Sequence, residues 1–270
     1  MENIKANGMN WTRFDNASEF YSEAIRKGGY IATQDYHDGW AGADAVTWKQ
    51  AQELALSGWD AGRSAITAIA DKLNVASRVS VPEIVFDVTG EGGFDVGRMY
   101  SGEPEFMMDW RESEEMQSTP GKKSVHIIVN VTFSGGIDGK IIRARGAAIM
   151  ALIEALDMAG KIVTVDCIFA ESPNGYRDAV GVYVPVKQPG DMLQRDLLCF
   201  AVAHESFSRR FGHAITGTGI MPGTPRDIAK ECDIYIGEAM YGDERWKSEE
   251  SCLAWITEKL AEYGVTIDAR

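Results

Sequence analysis

The densest group of residues that could do chemistry is the run His204-Glu205-Ser206-Phe207-Ser208. A histidine beside a glutamate could activate a hydroxyl or a water for hydrolysis. The run is not a zinc-protease motif, because that motif needs a second histidine where this chain has Ser208. His204 also follows an apolar stretch at residues 197–202. This pattern favours a structural histidine on a helix over a catalytic one.

Two glycine-containing loops could hold a ligand or a nucleophile. The first, Thr132-Phe133-Ser134-Gly135-Gly136, lacks the Gly-x-Ser-x-Gly spacing of a hydrolase nucleophile turn. The second, at residues 217–223, contains Gly-x-Gly, but Pro222 and the lack of a long preceding strand argue against a dinucleotide-binding fingerprint. We expect this second loop to lie at the same sheet edge as Ser134. The alternative is that it is a plain connection.

Regular elements surround the first loop. An apolar strand at residues 124–131 precedes it, and a long amphipathic helix follows from about residue 140 to 160. Open α/β sheets place ligands at such turns, at the carboxyl ends of parallel strands. Only a short turn separates the next two predicted strands, so these should be antiparallel. The remaining predictions are strands at 161–170, 179–187 and 233–237, a short strand at 213–216, and helices at 192–211 and 248–263.

The first 123 residues have a different character. Residues 1–79 look helical and rich in tryptophan, with helices predicted at 18–27, 47–57 and 61–73. Trp40, Trp48 and Trp59 are expected to anchor these helices against the main body. Residues 80–123 read as a β-hairpin extension, with strands at 81–88, 94–100 and 105–110, and a polar linker. We therefore divide the chain into regions 1–79, 80–123 and 124–270.

The composition bounds the classes of partner. The 27 Lys and Arg residues are outnumbered by 40 Asp and Glu residues, so the net charge is −13. This balance argues against a broad contact with nucleic acid or with an anionic membrane. We expect Arg209-Arg210, the adjacent arginine pair, to be a solvated helix end.

Targeting signals and cysteine spacing bear on location. The first residues lack the pattern of a signal peptide, and no stretch approaches the ~18 apolar residues of a membrane helix. The four cysteines never form a CxxC pair, which indicates thiols in a reducing compartment. We expect a cytoplasmic protein, in the cytoplasm of a bacterial host if the chain is phage encoded.

The order of elements over residues 124–268 resembles a von Willebrand factor type A domain. The metal site of that family begins with Asp-x-Ser-x-Ser, where this chain has Asn130-Val131-Thr132-Phe133-Ser134. The resemblance implies a further ligand from the loop before the second large helix, where this chain offers Asp191. It implies another after the next parallel strand, where Glu238 stands. The implied metal ligands are thus Asn130, Thr132, Ser134, Asp191 and Glu238.

The expected fold is α/β: a three-layer Rossmann-like sheet, similar to a von Willebrand A domain, with one antiparallel hairpin and an N-terminal helical and β-hairpin extension. The implied oxygen donors suit Mg²⁺ or another divalent cation if their strand ends converge. Asparagine in place of aspartate removes negative charge from that site. The alternative is that Thr132 and Ser134 only cap the turn and the following helix.

These observations lead to three functional hypotheses. The first is a non-enzymatic binding or assembly protein that presents residues 132–138, with Asp191 and Glu238, to an acidic side chain of a protein partner, through a metal or directly. The second is a metal-dependent hydrolase or phosphoryl-transfer enzyme with Asp191 or Glu238 as the base. The third is a phage accessory protein that acts by surface mimicry. The whole chain also resembles an uncharacterised family of phage and mobile-element proteins, through its N-terminal pattern and its Arg-x-Arg-Gly-Ala-Ala helix.

Overall fold

The computed structural model describes residues 1–6, 9–62, 83–89, 93–111, 123–172, 180–217, 221–222, 232–237 and 243–265. These residues form two β-sheets. The strands are β1 (Glu2–Ala6), β2 (Met9–Arg13), β3 (Glu83–Asp87), β4 (Gly93–Phe94), β5 (Met107–Arg111), β6 (Ser124–Asn130), β7 (Ile162–Ser172), β8 (Val180–Lys187), β9 (Met221–Pro222) and β10 (Ile234–Ile236). The main sheet has the order β1-β2-β8-β7-β6-β10, with β9 paired to β7. The second sheet has the order β3-β5-β4.

The described helices are α1 (Ala17–Lys27), α2 (Tyr30–Thr33), α3 (Trp48–Ser57), α4 (Val96–Tyr100), α5 (Gly139–Met158), α6 (Arg195–Ala203), α7 (His213–Thr216) and α8 (Glu249–Glu262). A π-helix, Phe207–Gly212, leads into α7. Local signals explain two of the starts: Thr47 and Ser248 form capping boxes at α3 and α8. Asn16 caps α1, so this helix begins at Ala17, one residue before the start that the sequence predicted.

Strand directions confirm the α/β class and the antiparallel hairpin. β6 pairs in parallel with β7 and with β10, whereas β7 and β8 are antiparallel. The chain leaves β6 through α5 to reach β7 on one side, and β10 lies on the other side. The strand order therefore changes direction at the carboxyl end of β6, which is where open α/β sheets form a crevice.

The N-terminal region contributes strands as well as helices. β1 and β2 extend the main sheet, because β2 pairs in parallel with β8. Neither strand was predicted from the sequence, since each has only five residues and, among their described side chains, Trp11 is the one large side chain that is buried. The helix predicted at 61–73 lies outside the described residues from position 63 onward.

The second sheet confirms the predicted strands at 81–88 and 105–110, with the shorter bounds of β3 and β5. The strand predicted at 94–100 is wrong. Only Gly93–Phe94 is extended, and Asp95 then begins α4 by accepting a hydrogen bond from the backbone N–H of Arg98. A side-chain cap at this position stabilises a helical turn in place of a strand.

The hydrophobic core lies mainly on one face of the main sheet. Alternate residues of β6, such as Val125, Ile127 and Val129, pack there against α1, α3, α5, α6 and α8. A smaller cluster on the other face contains Trp11 and Ile128. Within the described ranges no helix contributes to that smaller cluster, so the third layer that the sequence predicted is not formed by these helices.

The length and apolar content of the helices determine whether any of them could span a membrane. In the part of the chain that the structure describes, no helix is long and apolar enough to cross a membrane.

Candidate ligand-binding cleft

Three of the implied metal ligands lie at the carboxyl end of β6. Asn130 and Thr132 are buried, and their side-chain oxygens already accept hydrogen bonds. Asn130 Oδ1 accepts from the backbone N–H of Thr132 at 3.0 Å, and Thr132 Oγ1 accepts from that of Ala170 at 2.9 Å. These contacts hold the end of β6 against β7. Ser134 follows on an exposed turn.

Asp191 does not join them. Because β8 runs antiparallel to β7, Lys187 at the end of β8 lies beside Val165, toward the amino ends of β6 and β7. The loop after β8 therefore starts from the opposite edge, where Asp191 accepts a hydrogen bond from the backbone N–H of Gln188 at 2.8 Å. Glu238 lies outside the described residues.

The donor set that the resemblance implied is therefore not brought together by the described residues. Among these residues, no group of three or more His, Cys, Asp or Glu side chains is placed to hold a metal ion. Asn130 and Thr132 offer one amide and one hydroxyl oxygen, both engaged with backbone N–H groups. Neither oxygen is charged, and the described residues bring no carboxylate beside them, so this described part of the donor set does not fit a magnesium site.

A cleft of about 460 Å³ opens at the same edge of the sheet. One wall is the turn at residues 135–139 with the start of α5, and the other is the N-terminal segment 38–43. Glu205 and Arg209 also line it. We call it the carboxyl-edge cleft.

Glu205 lies against the start of α5. A Cβ atom added at Gly139 would lie 2.3 Å from Glu205 Oε1, so only glycine allows the carboxylate to come this close. Asp138 caps the helix by accepting from the backbone N–H of Lys140 at 2.8 Å. Negative charge at a helix N-terminus interacts favourably with the helix dipole, so the start of α5 is a suitable position for a carboxylate.

The two oxygens of the Glu205 carboxylate differ. Oε1 accepts a hydrogen bond from Arg143 Nε at 3.0 Å. Oε2 is buried and has no hydrogen-bond partner within the described part of the chain, although the residue is only 1% exposed. Leaving a buried acceptor unsatisfied costs about 1–3 kcal/mol, and more when it is charged. Glu205 lines the cleft, and its Oε2 lies 3.9 Å from His204 Nδ1, too far for a hydrogen bond, so a donor that reached this carboxylate from the cleft could satisfy it.

His204 interrupts the helix that carries Glu205. Its backbone is extended, and its Nδ1 accepts from the backbone N–H of Ser206 at 3.0 Å, as an N-cap would. The ring proton therefore lies on Nε2, which donates to Asp44 Oδ1 at 3.0 Å. The side chain is fully buried, which agrees with the structural interpretation of this histidine.

Asp44 receives a second bond, from Trp59 Nε1 at 2.6 Å. Partial burial alone would raise the pKa of Asp44, but the hydrogen bonds from His204 and Trp59 outweigh it and hold that pKa well below its usual value. Arg143 Nη2 lies 3.6 Å from Asp44 Oδ1. Arg143 therefore bridges the two carboxylates of Asp44 and Glu205.

The prediction that Arg209 and Arg210 form a solvated helix end is wrong, since both side chains are buried. Arg210 donates to the backbone carbonyls of four residues, which are Ala32, Gln34, Ala45 and Val46. Arg209 donates to the carbonyls of Trp40, Ser134 and Ile137. Residues 34–47, which follow α2, have irregular backbone, and the forked guanidinium groups satisfy the carbonyls that become buried where residues 30–47 meet the π-helix.

Arg145 has the same role at the end of β6. Its Nη2 donates to the carbonyls of Asn130, Ile236 and Gly237, which fixes the ends of β6 and β10 together. Burial lowers the pKa of Arg145 to about 10, so the group stays charged near neutral pH. The sequence analysis missed this residue. Arg145 lies three residues after Ile142 and four before Ile149, both of which are buried. This helical spacing was a signal that Arg145 lies on the buried face of α5.

The charges around the carboxyl-edge cleft nearly balance. The lining carboxylates of Asp38, Asp138 and Glu205 match the lining basic groups of Lys140, Arg143 and Arg209, and Asp44, which does not line the cleft, adds a carboxylate beside Arg143. The sequence analysis identified Glu205 only through its neighbour His204. Asp44 and Arg143 had no motif to mark them, because they meet only after residues 38–44 fold against α5.

Comparison with known proteins gives a family but no activity. No curated protein and no solved structure matches the chain. A family described as a domain of unknown function matches residues 7–267, which include every residue of the carboxyl-edge cleft. The chain therefore belongs to this family, DUF7192.

Proposed function

We propose that this chain is a non-enzymatic binding protein that holds a protein partner in the carboxyl-edge cleft. The observation that carries the proposal is the unsatisfied Glu205 Oε2 in a cleft beside the carboxyl end of β6. Ligand sites in open α/β folds occur where the strand order changes direction, and this cleft lies at that point.

The walls of the cleft support a binding role because they are tied together before any ligand arrives. Arg209 bonds to Trp40 on one wall and to Ser134 and Ile137 on the other. Arg143 bonds to Glu205 and lies beside Asp44. A preformed site loses less conformational entropy on binding, so more of its contact energy appears as affinity.

Hydrolytic chemistry finds less support in the same residues. Both ring nitrogens of His204 are engaged, one with Ser206 N–H and the other with Asp44. The Ser206 hydroxyl donates to the carbonyl of Ala41. His204 is therefore not placed to take the proton of Ser206. Asp191 is one of the two candidate bases of the alternative hydrolase hypothesis, and the loop that carries it begins at the opposite edge of the sheet.

The test uses a variant that fills the cleft. A Cβ added at Gly135 would lie 3.6 Å from Trp40 Nε1, an ordinary contact, so Gly135→Leu should place its side chain at the cleft without breaking the turn. Tagged wild type, Gly135→Leu and Asp191→Asn would be used to capture proteins from a lysate of the source organism. Asp191→Asn is the matched control at the opposite edge.

We expect at least one protein to be retained by the wild type and by Asp191→Asn and to be lost with Gly135→Leu. Its direct binding would then be measured by calorimetry with the purified pair. Thermal melting of the variant checks that the fold is intact. If Gly135→Leu keeps every partner that the wild type captures, the cleft is not the binding surface and the proposal is wrong.

A further inference from the structure

We propose that the carboxyl-edge cleft accepts a basic side chain of the partner, an arginine guanidinium or a lysine ammonium, and that Glu205 Oε2 is its hydrogen-bond acceptor. This inference rests on the proposed function and specifies the chemistry of the ligand.

Glu205 Oε2, which has no hydrogen-bond partner among the described residues, limits which groups could be the ligand. Arg143 occupies Glu205 Oε1, while Oε2 has no partner in the described ranges and is shielded from water. A carboxylate oxygen can only accept hydrogen bonds, so the missing group must be a donor. A charged donor replaces lost hydration best, because charge-assisted hydrogen bonds are about twice as strong as neutral ones.

The second argument is the charge of the surroundings. The charges that line the cleft balance, and Asp44, which lies beside Arg143 but does not line the cleft, adds a further carboxylate that favours an incoming cation. Asp38 and Asp138 are exposed beside the opening, where they favour the approach of a positive group. The net charge of −13 acts over a longer range in the same direction and raises the rate of encounter with a basic partner.

The basic groups of the cleft are less suited to an anion. Both Nη atoms of Arg209 are bound to carbonyls, and its guanidinium carbon lies 5.1 Å from the centre of the Trp40 ring. Its buried Nε has no partner among the described residues, so an anion is the competing ligand. Glu205 would repel an anion, however, and Arg143 is already bound to that carboxylate.

The size of the ligand follows from the lining. A volume of about 460 Å³ accommodates one long side chain with the backbone that carries it, but not a folded element. Trp40 offers an apolar wall for the methylene groups of an arginine or lysine, which commonly pack on apolar surfaces while the charged end makes polar contacts.

The experiment titrates the full chain with acetyl-arginine amide, acetyl-lysine amide and acetyl-citrulline amide. Citrulline has nearly the shape of arginine without its charge. Binding is followed through the indole N–H resonance of Trp40, which a Trp40→Phe variant assigns. We expect saturable shifts with the two basic amides and none with the citrulline amide. Affinity should fall about tenfold in Glu205→Gln, which keeps an acceptor for Arg143 but removes the charge.

Other variants keep the test decisive. Asp191→Asn should bind the basic amides as the wild type does. Gly135→Leu should not bind them, and Asp38→Asn provides a second charge-removing variant if Glu205→Gln fails to fold. Equal binding of citrulline and arginine amides would overturn the proposal, as would a Trp40 shift with inorganic phosphate that the basic amides do not produce.

The failure of this inference can be separated from that of the proposed function. If the basic amides do not bind while Gly135→Leu still loses the captured partner, the ligand chemistry is wrong and the cleft remains the binding surface. If the amides bind but Gly135→Leu keeps the partner, the cleft recognises basic groups and the partner docks elsewhere, so the proposed function is wrong.

Discussion

Polar side chains differ in burial and in hydrogen bonding between the two edges of the main sheet. At the carboxyl edge, Arg145, Arg209 and Arg210 are buried and donate to backbone carbonyls. At the amino edge, the loop after β8 is largely exposed, and Asp191 makes one short-range bond to the backbone of Gln188. The difference comes from what covers each edge. Irregular segments pack over the carboxyl ends and bury their carbonyls, whereas the exposed loop after β8 leaves its polar groups to water.

This comparison separates two uses of charge in one fold. Buried arginines at the carboxyl edge replace the hydrogen bonds that irregular backbone cannot make for itself, and in doing so they fix the walls of the cleft. At the amino edge, Lys187 is also buried and donates to the carbonyl of Val163 at 2.9 Å, but the exposed carboxylate of Asp191 in the loop after β8 has no such role. Substitutions of similar chemistry should therefore have very different effects at the two edges.

The largest effect is expected for Arg210→Met. The variant leaves four buried or half-buried carbonyls without their donor, so we expect the free energy of unfolding to fall by about 3–5 kcal/mol. Urea denaturation measures it. The matched control is Arg26→Met, whose side chain is 70% exposed and pairs with Glu23, which also lies 3.9 Å from Lys27 Nζ. It should cost less than about 1 kcal/mol. Similar losses in both variants would contradict the distinction between buried and exposed arginines.

A smaller loss is expected for Gly146→Ala, on the helix that leads away from the carboxyl edge. A Cβ at Gly146 would lie 2.1 Å from the Cβ of Ala203, at the end of α6. Alanine favours a helix by about 1 kcal/mol, but overpacking costs about 1–3 kcal/mol, so a net loss of up to about 2 kcal/mol should follow. Urea denaturation again measures it.

The control for that variant is Gly136→Ala on the exposed turn, because an added Cβ there has no neighbour within 4 Å. It should leave stability nearly unchanged. Since Ala203 directly precedes His204, Gly146→Ala should also weaken binding at the cleft. A stable Gly146→Ala variant with normal binding would show that the position of α6 does not determine the cleft.

The next effect depends on pH. The pKa of Asp44 is lower in the folded chain than the ~3.9 of an unfolded aspartate, so the unfolded chain binds its proton first as the pH falls. The stability that Asp44 contributes is fully present above that pH and is lost as the pH falls through the lower folded-state pKa. Asp44→Asn should therefore reduce stability at pH 7 and flatten its decline below about pH 4. Urea midpoints across pH 3–7 measure both; parallel curves would contradict the assignment.

Much of the fold could be predicted from the sequence because its signals are local. A nearly continuous apolar run indicated β6, and apolar alternation indicated β8. Thr47 and Ser248 stand at the starts of α3 and α8. The burial of Arg210 could not be predicted, since it depends on carbonyls more than 160 positions away in the chain. The segment at 213–216, predicted as a short strand, is helical because the π-helix continues into it.

The error over Asp191 has a different origin. The sequence analysis correctly predicted that the strand at 179–187 is antiparallel to its predecessor. That direction already returns the chain to the amino edge, so the following loop cannot meet Asn130 without a further crossing of the sheet. The ligand set implied by the family resemblance was thus inconsistent with the predicted topology, and element order alone did not reveal it.

The smallest effect is expected for Asp191→Ala. Its carboxylate is exposed and accepts one backbone hydrogen bond, so stability should change by less than about 0.5 kcal/mol. Thermal melting with EDTA and with Mg²⁺ extends the test, since a ligand at ~100 times its dissociation constant stabilises a protein by about 2.7 kcal/mol. Because the loop that carries Asp191 begins at the amino edge, any shift in melting temperature that Mg²⁺ produces should be the same in Asp191→Ala and in the wild type. If the variant abolished such a shift, Asp191 would have to reach the metal, and the separation of the two edges on which the comparison depends would fail.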